Sequence, residues 1–134
     1  MDKDRILIVE DEVDIANIEK TYLEKAGFEV LVAYDGQEGY QLAKEEKPDL
    51  IVLDLMLPNM RGEDFLSSLR NHSKVPVIIV SAKAEEGDRL TGFRNGADDY
   101  MVKPFSAQPV KIMAGLSLSL RMVLWKSIMM RCGS

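Results

Sequence analysis

Five polar residues stand where apolar runs end. Glu10 and Asp11 close Ile6-Leu7-Ile8-Val9, Asp54 closes Leu50-Ile51-Val52-Leu53, Ser81 closes Val77-Ile78-Ile79-Val80, and Lys103 follows Tyr100-Met101-Val102. An aspartate set among aliphatic neighbours loses hydration on folding and needs partners that offset the cost. Carboxylates gathered together raise one another's pKa unless a cation sits among them. A hard divalent ion answers that need: magnesium takes an octahedron of oxygens and keeps several waters, so a few carboxylates and a backbone carbonyl make a natural partial shell. With charge neutralised, one carboxylate oxygen can attack phosphorus and form an acyl phosphate. Asp54 is the candidate nucleophile and Lys103 the counter-charge for the transferring oxygens. Ser81 is suited to hydrogen-bond a phosphoryl oxygen, a charge-assisted contact that strengthens when the group is present, which also makes it a candidate switch. The single histidine, His72, lies beside Ser73 and Lys74 at a predicted helix end and reads as a solvated cap.

The elements that must carry these residues fit in one domain, since the chain has 134 residues of which 46% are hydrophobic. A net charge of −5 argues against direct nucleic-acid binding, because phosphate contacts need a basic face. All 22 acids lie in residues 1–105, whereas residues 106–134 carry bases only and are compositionally foreign to the body. Cys132 has no second cysteine to pair with, and the opening Met1-Asp2-Lys3-Asp4-Arg5 is no apolar signal. No window of about 20 uncharged apolar residues is present to span a bilayer. A cytoplasmic protein with protein or cation partners is expected.

Each apolar run is followed by a stretch of helical periodicity, which is a βα repeat. Strands are predicted over Arg5–Glu10, Phe28–Ala33, Leu50–Leu55, Val77–Ser81 and Asp98–Val102. The first helix is expected to turn Ile15, Ile18, Tyr22, Leu23 and Ala26 inward and to stop at a left-handed Gly27. The second passes Tyr40 and Ala43 and ends before Lys47-Pro48. The third carries Phe65, Leu66 and Leu69, and a fourth carries Leu90 and Phe93 and stops at Gly96. Strands one, three and four are unbroken aliphatic runs, so helices are expected over both faces of a parallel sheet. In such α/β sheets the functional crevice lies beyond the carboxyl ends of the strands, where the polar residues collect.

In type and order these residues resemble the receiver domain of bacterial two-component response regulators. The likeness covers residues 5–105 and rests on Glu10-Asp11, on Asp54 followed by Pro58 and Gly62, on Ser81-Ala82, and on Gly96-Ala97-Asp98-Asp99-Tyr100 before Lys103-Pro104. It implies a flavodoxin-like (CheY-like) doubly wound sheet of five parallel strands, order 2-1-3-4-5, with helices on both faces. It implies Asp54 as phosphoacceptor, charged by the phosphohistidine of a sensor histidine kinase. Mg2+ would be held by Asp11, Asp54 and the Met56 backbone carbonyl, with Glu10 acting through water. A cis peptide before Pro104 would aim Lys103 into the site. Ser81 and Tyr100 would act as switches that repack the face formed by the fourth helix, fifth strand and fifth helix. Met56 and Lys83 flank the path of an attacking water in this reading and are candidates for tuning dephosphorylation. Such a domain modifies itself and turns over no separate substrate, and its hydrolysis is expected to be slow because no base positions water.

Ala82-Lys83, Asp88-Arg89-Leu90 and the Gly96 to Tyr100 stretch most resemble the OmpR/PhoB-type branch, which carries winged-helix domains and dimerises through that same face. The end departs from the branch. Where a Glu-Leu pair and later an arginine are usual, this chain has Pro109-Val110 and Met113. The expected organisation is a receiver body over 1–105 and an atypical fifth-helix or tail segment over 106–134, too short for a winged helix. That is the pattern of a transcriptional regulator lacking its DNA-binding domain. A helix in the tail would place Ile112, Leu116, Leu120 and Val123 on one stripe and Leu118, Met122, Trp125 and Met129 on another, so it would have to be buried. It reads as a makeshift fifth helix, an oligomerisation element or a membrane-surface anchor, and a homodimer through it or through the fourth-helix face is one expected assembly.

Other classes lack a required residue. A haloacid-dehalogenase-type phosphatase needs an aspartate two positions after its nucleophile, where Met56 stands, and no G-x-x-x-x-G-K or G-x-G-x-x-G follows a strand. The remaining alternative is a pseudo-receiver, a defective truncated interaction module that is not phosphorylated.

Overall fold

The computed structural model describes residues 4–81, 94 and 96–102. Its elements are β1 (Arg5–Val9), α1 (Val13–Lys25), β2 (Glu29–Ala33), α2 (Gly36–Glu46), β3 (Leu50–Leu53), α3 (Gly62–Arg70), β4 (Val77–Ser81) and β5 (Asp99–Val102). The strands form one parallel sheet in the order β2-β1-β3-β4-β5, as expected, so strand order reverses between β1 and β3.

Successive strand residues point to opposite faces, which is why an unbroken aliphatic run needs an apolar layer on each side. Leu7, Val9, Ile51, Leu53, Val77 and Ile79 pack with Ala43 of α2 and with Phe65, Leu66 and Leu69 of α3. Their alternates, Ile6, Ile8, Leu50, Val52, Ile78 and Val80, pack with Leu23 of α1, flanked by Tyr22 and Phe28.

Helix ends follow local chemistry. The Asp35 side chain accepts the Glu38 amide proton at 2.8 Å and starts α2. Gly27 takes φ 100°, the left-handed stop expected of it, and Gly96 also takes positive φ, at 105°. α1 buries Ile15 and Leu23 and packs Tyr22 against the core as expected, and it also buries Ala16 and Glu19, while Ala26 is its exposed C-cap. β3 stops at Leu53, earlier than predicted, because the Met56 amide turns away from the ladder to the Asp54 side chain at 3.1 Å.

Arg70, the last residue of α3, ties the far side of the sheet together. Its Nε donates to the Gly96 carbonyl at 2.9 Å, and its guanidinium meets Asp98 at 3.3 Å, while the same Asp98 oxygen accepts the Val77 amide at 2.8 Å. Burial pushes the Arg70 pKa below its ordinary value, against the opposing pull of Asp98. Asp98 thus serves the turn into β5. The predicted fourth helix, Lys83, Lys103, the expected cis bond before Pro104, and residues 106–134 lie outside the described residues. Among the described residues, no helix is long and apolar enough to cross a membrane.

Candidate functional site

Register builds the site. Val9 pairs with Leu53, so the next residues, Glu10 and Asp54, leave neighbouring strands side by side at the sheet's reversal point. The Asp54 amide donates to the Val9 carbonyl at 2.9 Å and the Glu10 amide to the Ala33 carbonyl at 3.0 Å, which fixes both backbones just past their strands. Glu10, Asp11 and Asp54 each offer a carboxylate oxygen, and these oxygens lie within 4.8 Å of one another. Glu10 and Asp54 are buried, at 1% and 3% exposure, and Asp11 opens to solvent. Glu10 Oε1 accepts the Glu12 amide proton at 3.1 Å, which anchors it against the start of α1.

The loop after Asp54 is held by close backbone approach. The Gly62 amide donates to the Leu55 carbonyl at 3.1 Å and the Gly36 amide to the Pro58 carbonyl at 3.3 Å. A Cβ on Gly62 would stand 2.5 Å from Leu55 Cα and 2.8 Å from the Asp54 carbonyl oxygen, so only glycine lets α3 begin this near the site. A Cβ on Gly36 would collide with the Met60 carbonyl. Asn59 turns the loop at φ 68°, and the Met60 amide reaches the Pro58 carbonyl at 2.8 Å. Met56 is exposed at the rim.

Ser81 ends β4 fully buried, and Tyr100, paired with Ile79 in register, is buried in the core on the α2 and α3 face. Glu10, Asp11 and Asp54 are therefore brought together, with Ser81 at a strand end one strand over. Lys83, Lys103 and Pro104 fall outside the described residues. His72 is exposed, as expected, but engaged: its Nε2 lies 2.9 Å from the Tyr40 hydroxyl. Sequence reasoning passed over Glu19, a carboxylate buried on α1, and Arg70, whose partners sit 26 and 28 residues away with no local pattern to announce them.

A reversed parallel sheet with an acidic trio at its carboxyl edge defines a class, and residues 6–114 match the family described as response regulator receiver domain. The chain belongs to that family. It is 50% identical over 105 residues to the transcriptional regulatory protein SrrA of Staphylococcus aureus, a match covering 78% of this chain and 44% of that protein. The chain thus spans less than half the length of the curated relatives it matches. Among solved structures, the Francisella response regulator 1452 receiver domain shares 35% identity at TM-score 0.75, covering 88% of this chain and 98% of that one. The response regulator domain of Thermotoga maritima CheB shares 29% at TM-score 0.82, covering 91% and 96%. The receiver domain of Klebsiella pneumoniae RstA, solved BeF3-activated, shares 30% at TM-score 0.76, covering 88% and 99%.

Proposed function

We propose that this chain is a phosphoacceptor: Asp54 takes a phosphoryl group from the phosphohistidine of a sensor histidine kinase and returns it slowly to water. The observation that carries the reading is the trio of carboxylate oxygens within 4.8 Å, two of the three residues being buried, at the reversal point of the sheet. Nothing in ordinary packing favours such crowding, because each charge disfavours the others.

The donors fit Mg2+, being hard oxygens with no thiolate or imidazole in the group. Asp11, Asp54 and the Met56 carbonyl would hold the ion and Glu10 would reach it through water. When bound, it neutralises charge on the transferring phosphoryl oxygens. The chain's own residues supply the rest. The Met56 amide, donating to Asp54 Oδ1, helps to orient the carboxylate that attacks phosphorus. Ser81 and Lys103 receive the phosphoryl oxygens, and Tyr100, already buried on β5, repacks as Ser81 engages, carrying the signal to the β5 side. Exposed Met56, with Lys83, borders the route of the hydrolytic water and sets its rate. Pro58 and Gly62 hold the loop that makes this geometry repeatable. The chain turns over no separate substrate. Its output is the changed surface beside β5, offered to a second copy or to the regulatory half of a transcription factor such as its SrrA relative.

Borohydride reduces an acyl phosphate to an alcohol, so reduction after treatment with acetyl phosphate and Mg2+ is expected to leave homoserine at position 54 in the peptide map. Reduction at another residue, with Asp54 intact, would move the chemistry elsewhere.

A further inference from the structure

At the edge of the sheet away from the acids, where α2 and α3 end, a cavity of about 380 Å³ opens between the last turn of α2 and the segment after α3. Lys44, Lys47 and His72 line it, with Ala43, Pro48 and Val75 as its apolar part. Its size lies within the range of small-molecule sites, roughly 300–1,000 Å³. Among the described residues no carboxylate lines it, and two nearby acids are occupied: Glu46 pairs with Arg5 at 3.1 Å and Glu45 accepts from Gln41 at 3.2 Å.

The cationic wall is held in place. Tyr40 fixes His72 through the 2.9 Å bond to Nε2, which leaves Nδ1 for another partner, and the Lys44 ammonium stands 5.3 Å from the centre of the same tyrosine ring. Lys47 caps α2 in left-handed backbone at φ 46°, ψ 63°, a position that glycine or asparagine fills at less cost. The dipole of α2 favours cations near its end. It does not call for a side chain where glycine is preferred, nor for an apolar cavity beneath the charges.

We propose that this cavity binds a small organic phosphate monoester, its dianionic head between Lys44, Lys47 and His72 and its apolar body against Ala43, Pro48 and Val75. Two lysines and an imidazole around one opening offer more donors than a single carboxylate can use and suit a head with three oxygens, and the volume leaves room for more than a bare ion. The proposal is independent of phosphorylation at Asp54.

His72 is the only histidine in the chain, so its ring gives one set of NMR signals that reports on this wall alone. The full chain, in EDTA and at constant ionic strength, is titrated with phenyl phosphate. A saturable shift of the His72 signals is expected, with affinity at least tenfold weaker in Lys44→Gln/Lys47→Gln and weaker for inorganic phosphate than for phenyl phosphate. The response is expected to persist in Asp54→Asn. A second variant, Lys47→Gly, keeps the backbone conformation while removing the ammonium and is expected to weaken binding too. A non-saturating drift, or an isotherm unchanged in both lysine variants, would overturn the site. Equal affinity for inorganic phosphate would overturn the organic ligand.

Discussion

Replacing Asp54 by asparagine removes one of three clustered charges, and the repulsion it relieves is expected to make the metal-free variant as stable as its parent or more so. Magnesium should then separate the two proteins. At a Mg2+ concentration about 100-fold above its Kd, binding is worth about 2.7 kcal/mol of stability, an increment that EDTA removes. Thermal melts should show that gain in the parent and a much smaller one in Asp54→Asn. An equal gain in both would place the ion elsewhere. At this scale the sequence was legible wherever a polar residue interrupted an apolar run, as at Glu10, Asp54 and Ser81. It was not legible at Glu19, because a carboxylate at a helix position reads as solvated until packing shows the face it occupies. Arg70 was hidden for another reason, since its partners Gly96 and Asp98 are joined to it only by the fold.

The elements hold the acids in place by converging on the loop between β3 and α3. α3 begins at Gly62 within van der Waals reach of the Asp54 carbonyl, and α2 begins at Gly36 against Met60, so the loop is gripped by two helix starts. Gly62→Ala forces a Cβ into backbone that has little room to yield. It is expected to cost about 1–3 kcal/mol in denaturant unfolding and to slow phosphorylation of Asp54 by displacing Leu55. A variant with unchanged stability and rate would show that the loop is not held by this contact. The spacing of Pro58 and Gly62 after Asp54 was visible in the sequence, but the reason for it, a helix start pressed against a carbonyl, is a distance that no spacing states. Strand ends were less legible than strand cores for a similar reason. The run Leu50 to Leu55 reads as one strand, yet the ladder ends at Leu53 once the Met56 amide has the Asp54 side chain to bond.

Across the whole molecule, β3 is the central strand with β1 beside it, and both faces of the two are covered. Hydrogen exchange is therefore expected to be slowest at the amides of Ile6 to Val9 and Ile51 to Leu53, and faster in edge strand β2, where only Ala33 is fully buried. Protection greater in β2 than in β1 would contradict this layering. The acids thus rest on interior strands, while the Arg70 link between α3 and the turn before β5 binds the β5 edge to the body. The order of strands and the two-sided core followed from the aliphatic runs and the family likeness. The proposed role of this scaffold is to present Asp54 for phosphorylation. Intact-mass spectrometry after incubation with acetyl phosphate, with and without Mg2+, tests it most directly in the parent and in Asp54→Asn. A gain of one phosphoryl group is expected in the parent, dependent on Mg2+ and absent from the variant. No gain in folded parent protein, or an equal gain in Asp54→Asn, would contradict it.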